Sequence, residues 1–111
     1  MVSLAPINQN VKTARSKAWE GIMNRKEYPI YRGLFKYFPK ALMEVSHVSY
    51  VGNEQHNPGT DLHWDRDKST DDADAMLRHA LQIGDIDTDG LRHSAKVAWR
   101  ALAILEKELE Q

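Results

Sequence analysis

Two short polar patterns in this sequence combine residue types that bind divalent metal ions. Glu44 and His47 lie three residues apart in ALMEVSHVSYVG, and Asp71 and Asp74 lie three residues apart in STDDADAMLRHAL. Side chains at this spacing share one face of a helix. Carboxylate oxygens suit Mg²⁺ and Mn²⁺, whereas an imidazole suits Mn²⁺ better than Mg²⁺. Two facing helices would bring these four side chains together as a site for Mg²⁺ or Mn²⁺.

Each of these residues also has a simpler structural explanation. A single glutamate such as Glu44 is typical of the solvent-facing side of an amphipathic helix. Acids in the first turn of a helix stabilise it through the helix dipole, which accounts for Asp71. Asp74 lies deeper in its helix, where an ion pair with Arg78, four residues on, is the alternative. The metal hypothesis therefore depends on the convergence of all the ligands.

The stretch between the two patterns, GNEQHNPGTDLHWDRDK, and the last helix supply groups that suit a nucleotide. The amide of Asn57 can read a base edge and the ring of Trp64 can stack on a base, although Trp64 fits a hydrophobic core equally well. Lys68 precedes a predicted helix N-terminus, where anions bind favourably. Lys96 is long enough to reach a phosphate; a solvated surface is the alternative for both lysines. Metals that neutralise phosphates would complete a site for a nucleoside triphosphate.

The run DIDTDG at residues 85–90 matches the beginning of a calcium-binding EF-hand loop. Such a loop needs a bidentate glutamate at its twelfth position, and this chain has Lys96 there. The calcium-loop interpretation therefore fails. An acidic turn between two helices explains the run, with Asp87 as a minor candidate for the metal site.

The spacing of apolar residues predicts an all-α bundle of four main helices and no strand. A flexible arm, 1–10, precedes a single domain, 11–111. The helices are predicted over residues 11–24, from 39 to between 52 and 55, from 69 to 84, and over 91–109, with a packed connector at 25–38 and a loop at 57–68. Ser69 is predicted to cap the third helix, and Leu77 and Leu81 to lie on its buried side.

Composition sets the class of protein. A chain of 111 residues is large enough for one core, and a formal net charge of −1 gives no basic field for a nucleic-acid backbone. The absence of cysteine excludes disulfides and thiolate metal sites. No apolar run approaches the roughly 20 residues of a membrane span, and no signal-like block opens the chain. We expect a cytoplasmic protein without nucleic-acid or membrane partners.

From residue 38 to 110, the order ALMEVSHVSYVG, HNPG…W, DADAMLRHAL and GLRHSAKVAWRALAILE resembles the phage dATP/dGTP diphosphohydrolases. These belong to the MazG-like all-α nucleoside triphosphate pyrophosphohydrolases. The resemblance implies metal-dependent cleavage between the α- and β-phosphates, with Glu44, Asp71 and Asp74 as the catalytic acids. His47 replaces the second acid of the family's ExxE pair. The resemblance also implies a homodimer or homotetramer, and the host cytoplasm as the location of a phage protein.

Three functions follow for comparison with the structure. In the first, an enzyme holds Mg²⁺ or Mn²⁺ through its acids, binds a purine base with Asn57 and Trp64, and binds phosphates with Lys68, Arg78 and Lys96. In the second, a helical interaction module dimerises through its last helix, and its acids only confer solubility. In the third, a nucleotide-binding protein has lost catalysis through the change to histidine at the second acid.

Overall fold

The part of the chain that the computed structural model describes, residues 24–111, is helical or irregular throughout. It contains three α-helices, α1 (Pro39–His56), α2 (Asp72–Ala80) and α3 (His93–Leu109). Within this part the only β-type pairing is an isolated bridge between Ile86 and Arg92. The predicted all-α fold is confirmed. The predicted arm and first helix lie outside the described residues, except for residue 24.

The chain divides into two compact units, one of which is Pro39–Ile104. The described parts of the other are residues 24–38 and Leu105–Gln111. There, Asn24 Oδ1 accepts a hydrogen bond of 3.0 Å from the Lys26 backbone and caps a 3₁₀ turn, Arg25–Glu27. A π-helical turn, Tyr31–Phe35, follows. The predicted connector is thus built from two short helical turns, but large apolar side chains in it such as Tyr31 and Phe35 are exposed and not packed as predicted.

Helix α1 begins and ends close to where the sequence predicts. Pro39 is its first residue, a position where the missing proline N–H removes no helical hydrogen bond. The helix ends at His56, immediately before Asn57-Pro58-Gly59, since a proline cannot continue the hydrogen-bond pattern of the helix. The prediction for this helix is confirmed within a residue at each end.

Helix α2 begins later than predicted because a distant side chain engages its predicted cap. The N-cap is Asp71, not Ser69. The Ser69 hydroxyl instead donates to Asp72 Oδ1 at 2.9 Å, and Arg100 Nη1 donates to both groups, at 2.7 and 2.6 Å. Because Ser69 is held in this group, the capping prediction is wrong. The helix ends at Ala80.

The buried face of α2 also differs from the prediction. Ala75 is 2% exposed and Asp72 is buried, whereas Leu77 is 60% and Leu81 88% exposed. The pairing of Asp72 with Arg100 of α3 turns the Asp72–Ala75 face inward, and the two leucines lie on another face. Their predicted burial is wrong in the single chain.

Helix α3 is joined to both other helices of the Pro39–Ile104 unit. Trp99 Nε1 donates to Ser49 Oγ of α1 at 2.8 Å, and Arg100 reaches Asp72 of α2. Leu91 and Ala95 are buried beside these contacts. None of the helices found in residues 24–111 has both the length and the apolar character that a membrane crossing requires.

We expect Asp72→Asn to lower the free energy of unfolding by about 1.5–3 kcal/mol, the range typical of hydrogen bonds to charged groups. The Asp72 side chain is only 8% exposed, so the loss of its charge leaves Arg100 without its closest acidic partner. Urea denaturation followed by circular dichroism measures the change. Asp74→Asn is the matched control, because Asp74 is exposed on the same helix and should change stability little. Equal stability of the two variants would contradict this account of α2.

Candidate functional site

A cavity of about 720 Å³ lies within the Pro39–Ile104 unit. This volume is in the range of small-molecule sites in proteins. Its walls come from the second half of α1, the loop before α2, the end of α2, the turn before α3 and the first turns of α3. The polar and aromatic side chains that line it include Asn53, Asn57, Trp64, Asp65, Lys68, Asp71, His79, Asp89, Lys96, Trp99 and Arg100.

The cavity gathers part of the site predicted from the sequence. The predicted residues that line it are Asn57, Trp64, Lys68, Asp71 and Lys96. The predicted residues that do not line it are Glu44, His47, Asp74 and Arg78, which are all exposed. Three ligand atoms from the predicted metal set do not come within 4.8 Å of one another in the single chain. The assignment of those ligands stays a prediction.

Asp71 faces a guanidinium group instead of another acid. Arg78 Nη2 lies 3.4 Å from Asp71 Oδ2, and both side chains are more than half exposed. At that exposure the pair contributes little to stability. The Asp71 carboxylate therefore remains accessible to a ligand in the cavity.

The Lys96 ammonium closes the acidic turn before α3. Its Nζ lies 2.7 Å from Asp87 Oδ2 and 2.7 Å from Asp89 Oδ2, and the Lys96 side chain is only 16% exposed. The hydrogen bond from Lys96, together with one from the Thr88 backbone N–H, lowers the pKa of Asp87 to about 2. Gly90, at φ +85°, completes the turn in a conformation that other residues rarely adopt. A protein cation thus fills the position where a calcium loop would hold its ion.

His79, Asp87 and His93 form a second cluster beside this lysine. His79 Nδ1 lies 2.9 Å from His93 Nδ1, and His93 Nδ1 lies 3.9 Å from Asp87 Oδ2. Burial, with a further contribution from the charge of Lys96, lowers the pKa of His79. Among the described residues, these are the three side chains whose ligand atoms converge enough to hold a metal ion together.

Neither histidine is a predicted site residue, because fourteen residues separate them along the chain. One lies near the end of α2, and the other begins α3. A short acidic turn between two helices, with a histidine at each side, is the sequence signal that points to their proximity.

Aromatic side chains form part of the cavity wall. The rings of Trp64 and Trp99 pack edge to face with centroids 5.7 Å apart, and the Arg66 guanidinium lies 4.2 Å from the centroid of the Trp64 ring. Asn57 Nδ2 donates to Asp65 Oδ2 at 3.3 Å, and this hydrogen bond lowers the pKa of Asp65. Trp64 therefore both packs against Trp99 and borders the cavity, so the two roles weighed for it are compatible.

Asn53 adds a polar group that the sequence patterns do not single out. The residue is 7% exposed, and its Nδ2 donates to the Thr60 carbonyl at 3.2 Å. Within residues 24–111, no donor reaches its buried Oδ1. Because an unsatisfied buried acceptor is costly, Oδ1 suits an N–H donor of a ligand in the cavity.

The charges that line the cavity are balanced. The basic side chains are Lys68, Lys96 and Arg100, and the acidic ones are Asp65, Asp71 and Asp89. A triphosphate would therefore meet no excess of positive charge from the protein alone. Divalent cations would supply the missing charge.

An all-α unit whose cavity combines tryptophan rings, amide groups and cationic side chains has the features of a nucleotide-binding protein. Residues 20–111 match the family model described as "dATP/dGTP diphosphohydrolase, N-terminal". The chain belongs to this family, and the resemblance inferred from the sequence is confirmed. Comparison with curated proteins and with solved structures gave no match.

We expect Lys96→Met to raise the pKa of Asp87 from about 2 toward the ordinary value of 3.8. A lowered carboxyl pKa contributes stability that is present above the unfolded-state pKa and is lost as the pH falls through the folded-state pKa. This contribution should shrink in the variant. Titration of the Asp87 carboxyl carbon by NMR measures the shift, and Lys68→Met is the control, because Lys68 is 81% exposed and pairs with Asp65. An Asp87 that titrates normally in the parent protein would contradict the bridge.

Proposed function

We propose that this domain hydrolyses the purine deoxynucleoside triphosphates dATP and dGTP to the monophosphate and pyrophosphate, with Mg²⁺ or Mn²⁺. Family membership supports the substrate class. The observation that carries the proposal is that one cavity combines aromatic rings, a buried amide acceptor and cationic side chains.

The base would contact the amide and aromatic groups of the cavity. Trp64 offers an aromatic ring for stacked or edge-to-face packing against the base, and Asn57 offers an amide group. The unsatisfied Oδ1 of Asn53 would accept from an N–H of the purine. Adenine carries such donors on its 6-amino group, and guanine carries them at N1 and on its 2-amino group.

The triphosphate would contact the cationic groups. Two acceptors on Asp87 and Asp89 engage the Lys96 ammonium, so one of its three N–H donors remains for a phosphate oxygen. Arg100 uses Nη1 for its contacts with Ser69 and Asp72. Lys68 and Arg78 are exposed and would approach the phosphates from solvent.

A bound divalent ion would neutralise phosphate charge and lower the pKa of a water molecule. We assign the acids that hold it to Glu44, Asp71 and Asp74, with His47 beside them. These groups do not converge in one chain, so the assignment requires a further copy to approach this surface. Such an oligomer, a dimer or tetramer, would also cover the exposed Leu77 and Leu81, since Leu77 lies one turn after Asp74 on α2.

Exposed apolar residues on α2 and α3 also favour the alternative of a helical interaction module without catalysis. Product analysis separates the two functions. We expect incubation with the four deoxynucleoside triphosphates and Mg²⁺ or Mn²⁺ to yield pyrophosphate and the monophosphate, fastest from dATP and dGTP. Orthophosphate as the product would contradict the proposed cleavage, and absence of turnover would favour the interaction module.

We expect Asp74→Asn to abolish turnover and leave the fold intact, because the change removes a metal-binding charge but preserves size. Turnover at saturating Mn²⁺ and thermal denaturation give the two readouts. Asp61→Asn is the control, since Asp61 is exposed and lies outside the cavity wall. A wild-type rate in Asp74→Asn would exclude Asp74 as a metal ligand.

We expect Asn53 to discriminate substrates by a donor group of the base. In the parent protein, kcat/KM should fall by about 3–10-fold from dGTP to dITP, or from dATP to the analogue without its amino group, as loss of one hydrogen bond predicts. In Asn53→Ala this difference should disappear for the base that Asn53 contacts. The comparison within each protein cancels any general effect of losing the Thr60 contact. Equal discrimination in both proteins for both bases would exclude a contact between Asn53 and the 6-amino group of adenine or the 2-amino group of guanine.

A further inference from the structure

We propose that His79, Asp87 and His93 bind a divalent transition-metal ion such as Zn²⁺ or Co²⁺, at a site distinct from the acids predicted to hold Mg²⁺ or Mn²⁺. The inference depends only on the geometry of the cluster, and it stands whether or not the chain hydrolyses nucleotides.

The ligand atoms already lie close to the distances that a metal requires. The two Nδ1 atoms are 2.9 Å apart, and all three ligand atoms fall within 4.8 Å of one another. Zinc binds imidazole nitrogen at about 2.0–2.1 Å, so two such ligands in a tetrahedral site are about 3.3 Å apart. The two Nδ1 atoms therefore need to move apart by only a few tenths of an ångström to bind the ion.

Backbone contacts within the chain fix the turn and the start of α3, which carry Asp87 and His93. His93 begins α3, its side chain is only 5% exposed, and its backbone N–H donates to the Asp85 carbonyl at 3.2 Å. The bridge between Ile86 and Arg92 closes the intervening turn. Ligands fixed on rigid elements favour metal binding, since little order is lost when the ion arrives.

The two histidines face each other through their Nδ1 atoms, an arrangement that suits a shared metal ion as well as a hydrogen bond. Two neutral imidazoles can approach through Nδ1 only if one carries a proton there and the other does not. An ion takes the place of this proton and uses both lone pairs. Two imidazoles with one carboxylate form a donor set that prefers transition metals, whereas Mg²⁺ prefers oxygen ligands.

Lys96 limits the affinity of this site. Its ammonium group lies 2.7 Å from Asp87 Oδ2 and competes with an ion for the same carboxylate. His79 and Lys96 both line the cavity, so an ion bound by three protein ligands would keep positions for water or for a phosphate oxygen. A stronger ion pair between Lys96 and Asp87 should therefore give weaker metal binding.

Calorimetric titration of the full chain with Zn²⁺, and visible absorption with Co²⁺, test the site without any nucleotide. We expect one ion per chain, retained in a large excess of Mg²⁺. His79→Gln and Asp87→Asn should weaken binding by about tenfold or more, since even the outer partners of metal ligands change affinity by about 10–100-fold. Lys96→Met should strengthen it, because a competing cation is removed.

His47→Gln is the matched control, since it removes the histidine of the site predicted from the sequence. Unchanged affinity in His47→Gln with a loss in His79→Gln supports the proposal. The reverse result, no binding by the parent chain, or displacement of Zn²⁺ by Mg²⁺ would overturn it. Circular dichroism of each variant shows whether a loss of binding reflects unfolding, and the readout is independent of turnover.

Discussion

The structure depends most on one ammonium group that is largely shielded from solvent. Lys96 satisfies two carboxylates of the acidic turn, Asp87 and Asp89, with hydrogen bonds of 2.7 Å each. This contact shapes the turn, and the turn determines where α3 begins relative to the end of α2. The same lysine lines the cavity. The interaction that closes the local fold is therefore also the one that a phosphate or a metal ion would have to share.

A second polar group determines the orientation of α2. Arg100 engages Ser69 and Asp72, which lie about thirty residues earlier, and so selects the inward face of that helix. Leu77 of α2 and Leu81, which follows the helix, are consequently exposed. Two basic residues of α3, four positions apart, thus shape the cavity and leave an apolar surface outside it.

Features of the fold that depend on neighbouring residues in the sequence could be predicted from the sequence. The sequence predicts α1 and α3 from the spacing of their apolar residues, and it predicts the start of α1 from the proline at residue 39. It also shows that a lysine stands where a calcium loop needs a glutamate. Loop and helix-end residues such as Asn57, Trp64 and Lys96 are predicted as site residues and do line the cavity. The types and positions of these residues in the sequence are therefore sufficient to predict that they line a site.

Polar contacts between residues far apart in the sequence could not be predicted from local patterns. The capping prediction for Ser69 and the predicted burial of Leu77 fail because a guanidinium group from α3 outweighs the local apolar pattern. Asn53 and His79 gain their significance only from tertiary neighbours. Asn53 belongs to none of the patterns recognised in the sequence, and the pattern DADAMLRHAL contains His79 but assigns it no ligand role. The predicted acids of the metal site share helix faces, but the distance between the two faces depends on packing that one sequence does not specify.

The most direct test of this account locates the bound nucleotide. Titration of isotopically labelled protein with the α,β-imido analogue of dATP, in the presence of Mg²⁺, can be followed by NMR. The account predicts shifts for the indole N–H groups of Trp64 and Trp99, the side-chain amide of Asn53 and the ammonium of Lys96. Shifts confined to residues outside the cavity, with these four signals unchanged, would contradict it.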